Sequence, residues 1–246
     1  MNCQEPDAGR GICRLCGELK DLTFEHVPPR AAGNAGPVYH PEIREYLRHR
    51  TSGGPPPKLI TEPQGAGGYT LCRECNNRCA RYVLEFLPWL ECWRSALAAD
   101  ATAGAIGTSQ NIRRSRVMKE IVAMFLSANS PEMGRRNEEL RRFVWNAEHQ
   151  GLPDGIRVFA ALTRDETFSR QVGVTGVGHH DGAYSVISEV AYPPMSLVMA
   201  FGGTDPGDPR LVDITFLARS GYKEKRTTEM MLQVLRLADI YPATYH

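Results

Sequence analysis

The sequence predicts an α+β fold, and three observations carry that prediction. All seven cysteines fall within residues 1–100, and four of them form two C-x-x-C pairs. Residues 101–150 repeat their apolar positions at three- and four-residue spacing, the period of a helix. After Gly151 the period falls to two, and turn-forming clusters punctuate the chain, as strands require. The expected organisation is a metal-stapled unit over 1–100, a helical segment over 101–150 and a β-rich domain of open role over 151–246.

Composition sets the outer bounds. With 246 residues the chain can build one large domain or two small ones around a sizeable core. Hydrophobic residues at 42% and charged residues at 23% are ordinary for a globular protein. No run of eighteen apolar residues exists, so a membrane-spanning helix is not expected. The first residues, MNCQEPDAGRG, lack the basic stretch and apolar core of a secretory signal, so the expected location is cytoplasmic. Net charge is +1, which does not by itself argue for nucleic-acid binding. The charge is unevenly placed: residues 101–150 hold eight Arg/Lys against five Asp/Glu, and residues 151–246 hold nine against eleven. Any nucleic-acid contact is therefore expected on the N-terminal and middle parts.

Taken in order, the first element is the pair Cys13-Arg14-Leu15-Cys16, followed by Gly17, which suits a tight turn. Its partner is Cys72-Arg73-Glu74-Cys75. In a reducing compartment, paired spacings of this kind read as a metal site rather than a disulfide framework. Four thiolates from two knuckles are a common structural zinc site, so Cys13, Cys16, Cys72 and Cys75 are the expected Zn²⁺ ligands. Between the knuckles, residues 31–70 are rich in Gly and Pro and read as a long inserted loop. A short helix over 41–50, with Pro41 in its first turn, could interrupt it.

From 73 to 99 the residues Tyr82, Val83, Phe86, Leu87, Leu90, Trp93 and Leu97 predict a helix, which Pro88 should kink or split. A second helix is predicted over 111–128 from Val117, Ile121, Met124 and Phe125, and a third from Ser130-Pro131 to about 149. Met195, Leu197, Met199 and Phe201 predict one strand, and Val212, Ile214 and Phe216 another, within a mostly antiparallel sheet of five or six strands. The stretch Gly173–Gly178 (GVTGVG) reads as a hairpin or bulge rather than a phosphate loop. His179-His180-Asp181 reads as a polar turn, and 228–238 fits strand or helix equally.

The residues beside the knuckles carry the chemistry. Thr23-Phe24-Glu25-His26-Val27-Pro28-Pro29-Arg30 lies between them, and Asn76-Asn77 directly follows the second. The combined pattern, C-x-x-C, then E-H-V-P-P-R, then C-x-x-C-N-N, resembles the HNH endonucleases, also called ββα-metal or His-Me finger nucleases. It is most similar to the branch in which four cysteines hold zinc beside the active site. The resemblance covers residues 13–77 and, loosely, the helix that follows. It implies a zinc-stapled ββα-metal finger and a metal-dependent endonuclease acting on nucleic acid, DNA favoured, that leaves a 5′-phosphate and a 3′-hydroxyl. Carried over residue by residue, Glu25 and Asn76 would ligate one Mg²⁺ or Mn²⁺, and His26 would be the general base. Many such nucleases dimerise, so a homodimer is a possible assembly.

Elementary chemistry agrees with that assignment. An imidazole can take a proton from water near neutral pH. A hard cation on one carboxylate and one amide oxygen keeps positions open for water and phosphate, and can act as Lewis acid. Neighbours on a strand point to opposite faces, so Glu25 and His26 share a site only where the chain bends. Arg30, Arg73, Arg78 and Arg81 flank this region, and any of them could hold a phosphate or simply be solvated.

Other readings of the same residues stay open. Glu25-His26 could be a strand-end pair satisfied by backbone, and Asn76 could be a helix N-cap. The stretch after His26 is longer than is usual in the family, and Asn34 is the only Asn there that could stabilise the loop behind it. His40 and His49 read as surface residues, Cys79 as a substitute ligand at most, and Cys3 and Cys92 as incidental. The competing function is a non-catalytic zinc module that binds nucleic acid or protein.

Overall fold

The computed structural model describes residues 9–41, 55, 58–164, 169–178 and 184–236. The expected helix over 41–50, together with Cys3, His49 and His179-His180-Asp181, lies outside them. Pro41 itself ends a strand, paired with Leu59.

The fold is α+β. The N-terminal unit is a three-stranded antiparallel sheet in the order β1 (Arg10–Ile12), β2 (Leu19–His26), β5 (Gly67–Cys72), followed at once by helix α1 (Arg73–Ala99). Between β2 and β5 the chain makes a 3-10 turn, Arg30–Ala32, and a two-stranded ribbon of β3 (Val38–Pro41) and β4 (Leu59–Glu62). Part of the segment expected as loop is thus paired strand.

Helix α1 buries Cys75, Cys79, Tyr82, Phe86, Trp89, Leu90, Trp93 and Leu97, spaced three and four residues apart along one face. Pro88 neither ends nor splits it. The ring faces solvent, and the carbonyl it deprives of a donor belongs to Leu84, which is 73% exposed, so water can satisfy it.

The middle segment departs from expectation at its ends. Residues Ala105–Ile112 form strand β6, so helix α2 begins at Arg114 and runs to Ala128. The third helix is two: α3 (Pro131–Arg136) and α4 (Glu138–Trp145). The break falls at Asn137, whose amide and backbone N–H both donate to the Met133 carbonyl, at 2.8 and 3.1 Å. A short polar side chain that serves the backbone itself favours a helix boundary.

The C-terminal sheet has five strands, all antiparallel, in the order β11 (Val212–Asp213), β7 (Arg157–Leu162), β10 (Met195–Phe201), β9 (Tyr184–Tyr192), β8 (Arg170–Gly178). The segment left open between strand and helix over 228–238 begins as strand: β12 (Arg226–Gln233) pairs with β6 rather than with this sheet. The strand predicted through Phe216 stops at Asp213, whose carboxylate accepts the Thr215 backbone N–H at 2.8 Å and starts a 3-10 turn over Thr215–Arg219. GVTGVG is a bulged strand: the register shifts between Val172 and Thr175, and the Val174 N–H donates to the Asn129 amide oxygen at 2.6 Å.

One core joins these parts, running from Cys13 and Leu15 through the buried faces of α1 and α2 to Leu197, Met199 and Leu232. The opposite face of the C-terminal sheet holds a smaller cluster around Phe159, Ile187 and Val198. On that same side of β10, Ser196 contacts a buried ion pair: Arg170 donates through two nitrogens to the Glu189 carboxylate, 2.7 Å each, with side chains 6% and 0% exposed. Arg170→Met leaves the Glu189 charge buried and unpaired. The expected loss is about 3–5 kcal/mol of unfolding free energy in a denaturant titration. A loss under 1 kcal/mol would show that water or another donor replaces the guanidinium.

Candidate metal centre and active site

The turn between β1 and β2 presents Cys13 and Cys16, and the β5–α1 junction presents Cys72 and Cys75. Their four sulfurs lie within 4.8 Å of one another. Gly17 closes the first knuckle with φ +80° and donates its N–H to the Cys13 carbonyl at 2.8 Å, a conformation that suits glycine. The Cys72 N–H donates to the Cys13 sulfur at 3.3 Å.

The sulfurs cannot all ionise together without a cation. The Cys75 thiol and nearby backbone N–H groups pull the Cys13 thiol down to about 4, against its burial. Cys16 is pushed up to about 11, by burial first and then by Cys13. Cys75 is pushed up by its bond to Cys13 and by burial. A tetrahedral zinc with ~2.3 Å bonds needs sulfurs ~3.8 Å apart and four thiolates. The cluster fits that donor set, and an ion there would remove the mutual repulsion and release the thiol protons.

The knuckles fix β2 against the start of α1. The Asn76 amide nitrogen, one residue past Cys75, donates to the Thr23 hydroxyl at 3.0 Å, and that hydroxyl donates to the Leu71 carbonyl at 2.9 Å. This leaves the Asn76 amide oxygen outside the bond. Asn76 does not cap α1; the N-cap position is Cys72. Glu25, two residues beyond Thr23, shares its face of β2 and points to the helices. It is partly buried, and desolvation pushes its carboxyl up to about 7.

His26 lies on the other face. Its ring meets Phe24, two residues back, edge to face with centroids 4.9 Å apart. Its Nε2 lies 3.0 Å from the Gln64 carbonyl oxygen. A carbonyl can only accept, so Nε2 carries the proton and Nδ1 keeps the lone pair of a neutral ring. The structure therefore joins Asn76 to the strand that bears Glu25 and His26, but the strand sends those two side chains to opposite sides.

Asn34 has the structural role left open by the sequence. It is fully buried; its amide nitrogen donates to the carbonyls of Pro28 and Ala66, 2.7 Å each, and its oxygen accepts the Ala66 N–H at 2.8 Å. It thus binds the chain just after His26 to the chain just before β5. Gly65, at φ +94°, packs against it so closely that a Cβ would sit 2.5 Å from the Asn34 oxygen. The C-terminal sheet supports the same loop: Gln171 donates to the Val27 carbonyl at 2.7 Å, and the Tyr192 hydroxyl to that of Gly33 at 2.9 Å.

The arginines divide. Arg78 is committed to packing, its guanidinium 3.7 Å from the Trp145 ring centre and donating to the Trp145 carbonyl at 3.1 Å. Arg81 donates to the Arg78 carbonyl at 2.9 Å. Arg30 is exposed on the turn after β2. Arg73 lines a cleft of about 1140 Å³ along β2, with Arg10, Lys20, Thr23, Phe24 and Tyr69, and with Asp21 and Glu74 as acidic neighbours.

One buried group escaped the sequence reading. Glu120 is 2% exposed within α2. It occupies the i+3 position of the stripe that begins at Val117, where an apolar residue belongs, and that misplacement is the signal that could have exposed it. Cys79 is also buried, and burial, then Glu120, then Glu25 push its thiol up. Comparison with known protein families, curated proteins and solved structures finds no match to this chain.

Two outcomes follow from the geometry. The purified chain is expected to carry one zinc by elemental analysis. Cys72→Ser should lose the ion, along with stabilisation that reaches on the order of 10 kcal/mol in small zinc modules. A chain that melts at one temperature with zinc or with a strong chelator would exclude a structural ion. Asn34→Ala strands the buried Pro28 carbonyl and Ala66 N–H, while the Ala66 carbonyl keeps the Val27 N–H, and should lower stability by about 2–4 kcal/mol in urea; an unchanged midpoint would show that the loop holds without it.

Proposed function

We propose that this chain is a metal-dependent endonuclease of the HNH type, hydrolysing phosphodiester bonds in nucleic acid with DNA favoured. The observation that carries the reading is the Gln64 carbonyl 3.0 Å from His26 Nε2, which leaves Nδ1 as the base on an accessible strand end. Asn34 supports it by fixing the loop behind that end.

In this reading His26 takes a proton from water, the water oxygen bonds to phosphorus, the P–O3′ bond breaks, and the leaving 3′-oxygen takes a proton from solvent, giving a 5′-phosphate and a 3′-hydroxyl. Glu25 and the free oxygen of Asn76 would hold Mg²⁺ or Mn²⁺. That ion would supply Lewis-acid stabilisation of the leaving oxygen. The scissile phosphate sits across the end of β2, the one place where the strand's two faces come within reach of a single group. Zn²⁺ on Cys13, Cys16, Cys72 and Cys75 is a clamp between β2 and α1 and takes no part in the reaction. The cleft that reaches Phe24, whose ring meets that of His26, suits a nucleic acid, with Arg10, Lys20 and Arg73 for phosphate and Phe24 and Tyr69 for stacking. Arg30, on the turn just past the base, is the further phosphate contact, whereas Arg78 acts through packing alone.

The opposite facing of Glu25 and His26 favours one other reading, a non-catalytic zinc module that binds nucleic acid or protein. A plasmid-nicking assay separates the two. Wild type should nick with Mg²⁺ or Mn²⁺ and stop with EDTA. His26→Ala should nick about 10²–10⁴-fold more slowly with zinc content and melting temperature unchanged. Wild type that never nicks with either ion hands the site to the second reading, and a His26→Ala variant as fast as wild type removes the imidazole from the reaction.

A further inference from the structure

The cleft along β2 carries a row of rings as well as cations. Phe24 and Tyr69 are paired residues of β2 and β5, so their side chains share a face, and their rings meet edge to face with centroids 5.6 Å apart. His26 extends the row. It lies two residues past Phe24 on the same strand, and its ring centroid is 4.9 Å from that of Phe24. All three residues are half-buried, so each keeps part of its surface in solvent. The floor beside them is glycine. Gly67 is the partner of His26 across the sheet, and a Cβ there would lie 2.9 Å from Cε1 of Phe24. The Phe24 ring therefore lies against bare backbone, where a side chain would displace it.

The cations of the cleft are few. Lys20 is engaged by Glu18 at 2.8 Å and by Glu74 at 3.9 Å. Arg10 and Arg73 are exposed and, among the described residues, enter no ion pair. Asp21 and Glu74 line the same cleft. Two guanidiniums beside two carboxylates make a thin electrostatic grip, whereas tight duplex binding draws on many phosphate contacts. Rings add little on an intact duplex, which turns only the edges of its bases to the grooves. An unpaired base has a free face, and stacking on an aromatic side chain then supplies the affinity that charge does not.

We propose that the nucleic acid held in this cleft is an unpaired DNA strand, its bases stacked on Phe24 and Tyr69 and its backbone held by Arg10 and Arg73, so that the row of rings leads the strand to His26. The inference rests on the reading of the cleft as a nucleic-acid site and gives that site its substrate class: single-stranded DNA, or an unpaired segment within a duplex. Negative supercoiling favours strand opening, so a supercoiled plasmid offers such segments and its relaxed linear form does not.

Fluorescence anisotropy of a labelled oligodeoxynucleotide, with the zinc-loaded full chain and no added Mg²⁺ or Mn²⁺, tests this. The single strand should bind about 10-fold or more tighter than a blunt duplex of the same sequence. An abasic strand with the same backbone should bind no better than the duplex. Tyr69→Leu should weaken single-strand binding roughly 5–100-fold, with zinc content and melting temperature unchanged, and Tyr69→Phe, which keeps the ring, should bind as wild type does. The abasic strand needs no variant, so it decides the matter even if Tyr69→Leu folds poorly. A duplex bound as tightly as the single strand, an abasic strand bound as tightly as the intact one, or a folded Tyr69→Leu chain equal to wild type overturns the proposal. Preferential single-strand binding with no cleavage of any DNA in Mg²⁺ or Mn²⁺ upholds it and defeats the nuclease reading alone. Cleavage with equal binding of the two forms does the reverse.

Discussion

Four sulfurs packed within 4.8 Å are the constraint on which the N-terminal unit depends. The first pair sits on a three-residue strand and its turn, the second at the junction of a strand and a helix, with 55 residues between Cys16 and Cys72. Cys75 and backbone N–H groups pull the Cys13 thiol down while Cys16 and Cys75 are pushed up, because thiols this crowded do not ionise together. A divalent ion resolves that conflict at all four sulfurs together. The sulfur cluster also sets where α1 begins, and hence which residues of its first turn face β2. Asn76, one residue past Cys75, donates to the Thr23 hydroxyl of β2 from that first turn.

The rigidity of that corner passes into the rest of the molecule along α1. Cys75 and Cys79 open the same buried face that continues through Tyr82, Phe86, Trp89 and Trp93. Tyr82 donates to the Val144 carbonyl at 2.6 Å, so the helix that carries Asn76 is tied to the end of α4. Arg78 adds a stacked contact to Trp145, the last residue of α4. The C-terminal sheet reaches the loop after His26 through Gln171 and Tyr192. These contacts give the sheet a physical connection to the candidate site, as a brace behind its loop.

What could be read from the sequence was whatever local spacing encodes. The cysteine pairs, the long stripe of α1 and the strand Met195–Phe201 were legible because each is a periodic or paired pattern within a few turns. Strand Ala105–Ile112 was not: only Ile106, Gln110 and Ile112 are buried in it, and its partner lies more than a hundred residues away at Arg226–Gln233. The strand after Val212 was overestimated because Asp213 serves the Thr215 N–H, a competition that apolar alternation does not register. At the site, Glu25, His26 and Asn76 were legible as residue types in order. The facing of Glu25 and His26 was not, because it depends on β2 staying a regular strand to His26, with the register shift beside Thr23 and Phe24 absorbed on β5 at Thr70.

That regularity decides how the candidate site can work. Along β2 the side chains alternate: Thr23 and Glu25 share one face, where Thr23 meets Asn76, and Phe24 and His26 share the other, where their rings meet edge to face. Toward the helices Glu25 is largely withdrawn from water, and that burial raises the pKa of its carboxyl. On the other face the His26 ring keeps its Nε2 against the Gln64 carbonyl. The strand thus keeps the carboxyl and the imidazole in different surroundings, and Pro28 and Pro29, which follow one residue after His26, end it there. The Asn34 bonds to Pro28 and Ala66 then fix the course of the chain beyond that end, two residues from the Gln64 carbonyl that meets the His26 ring.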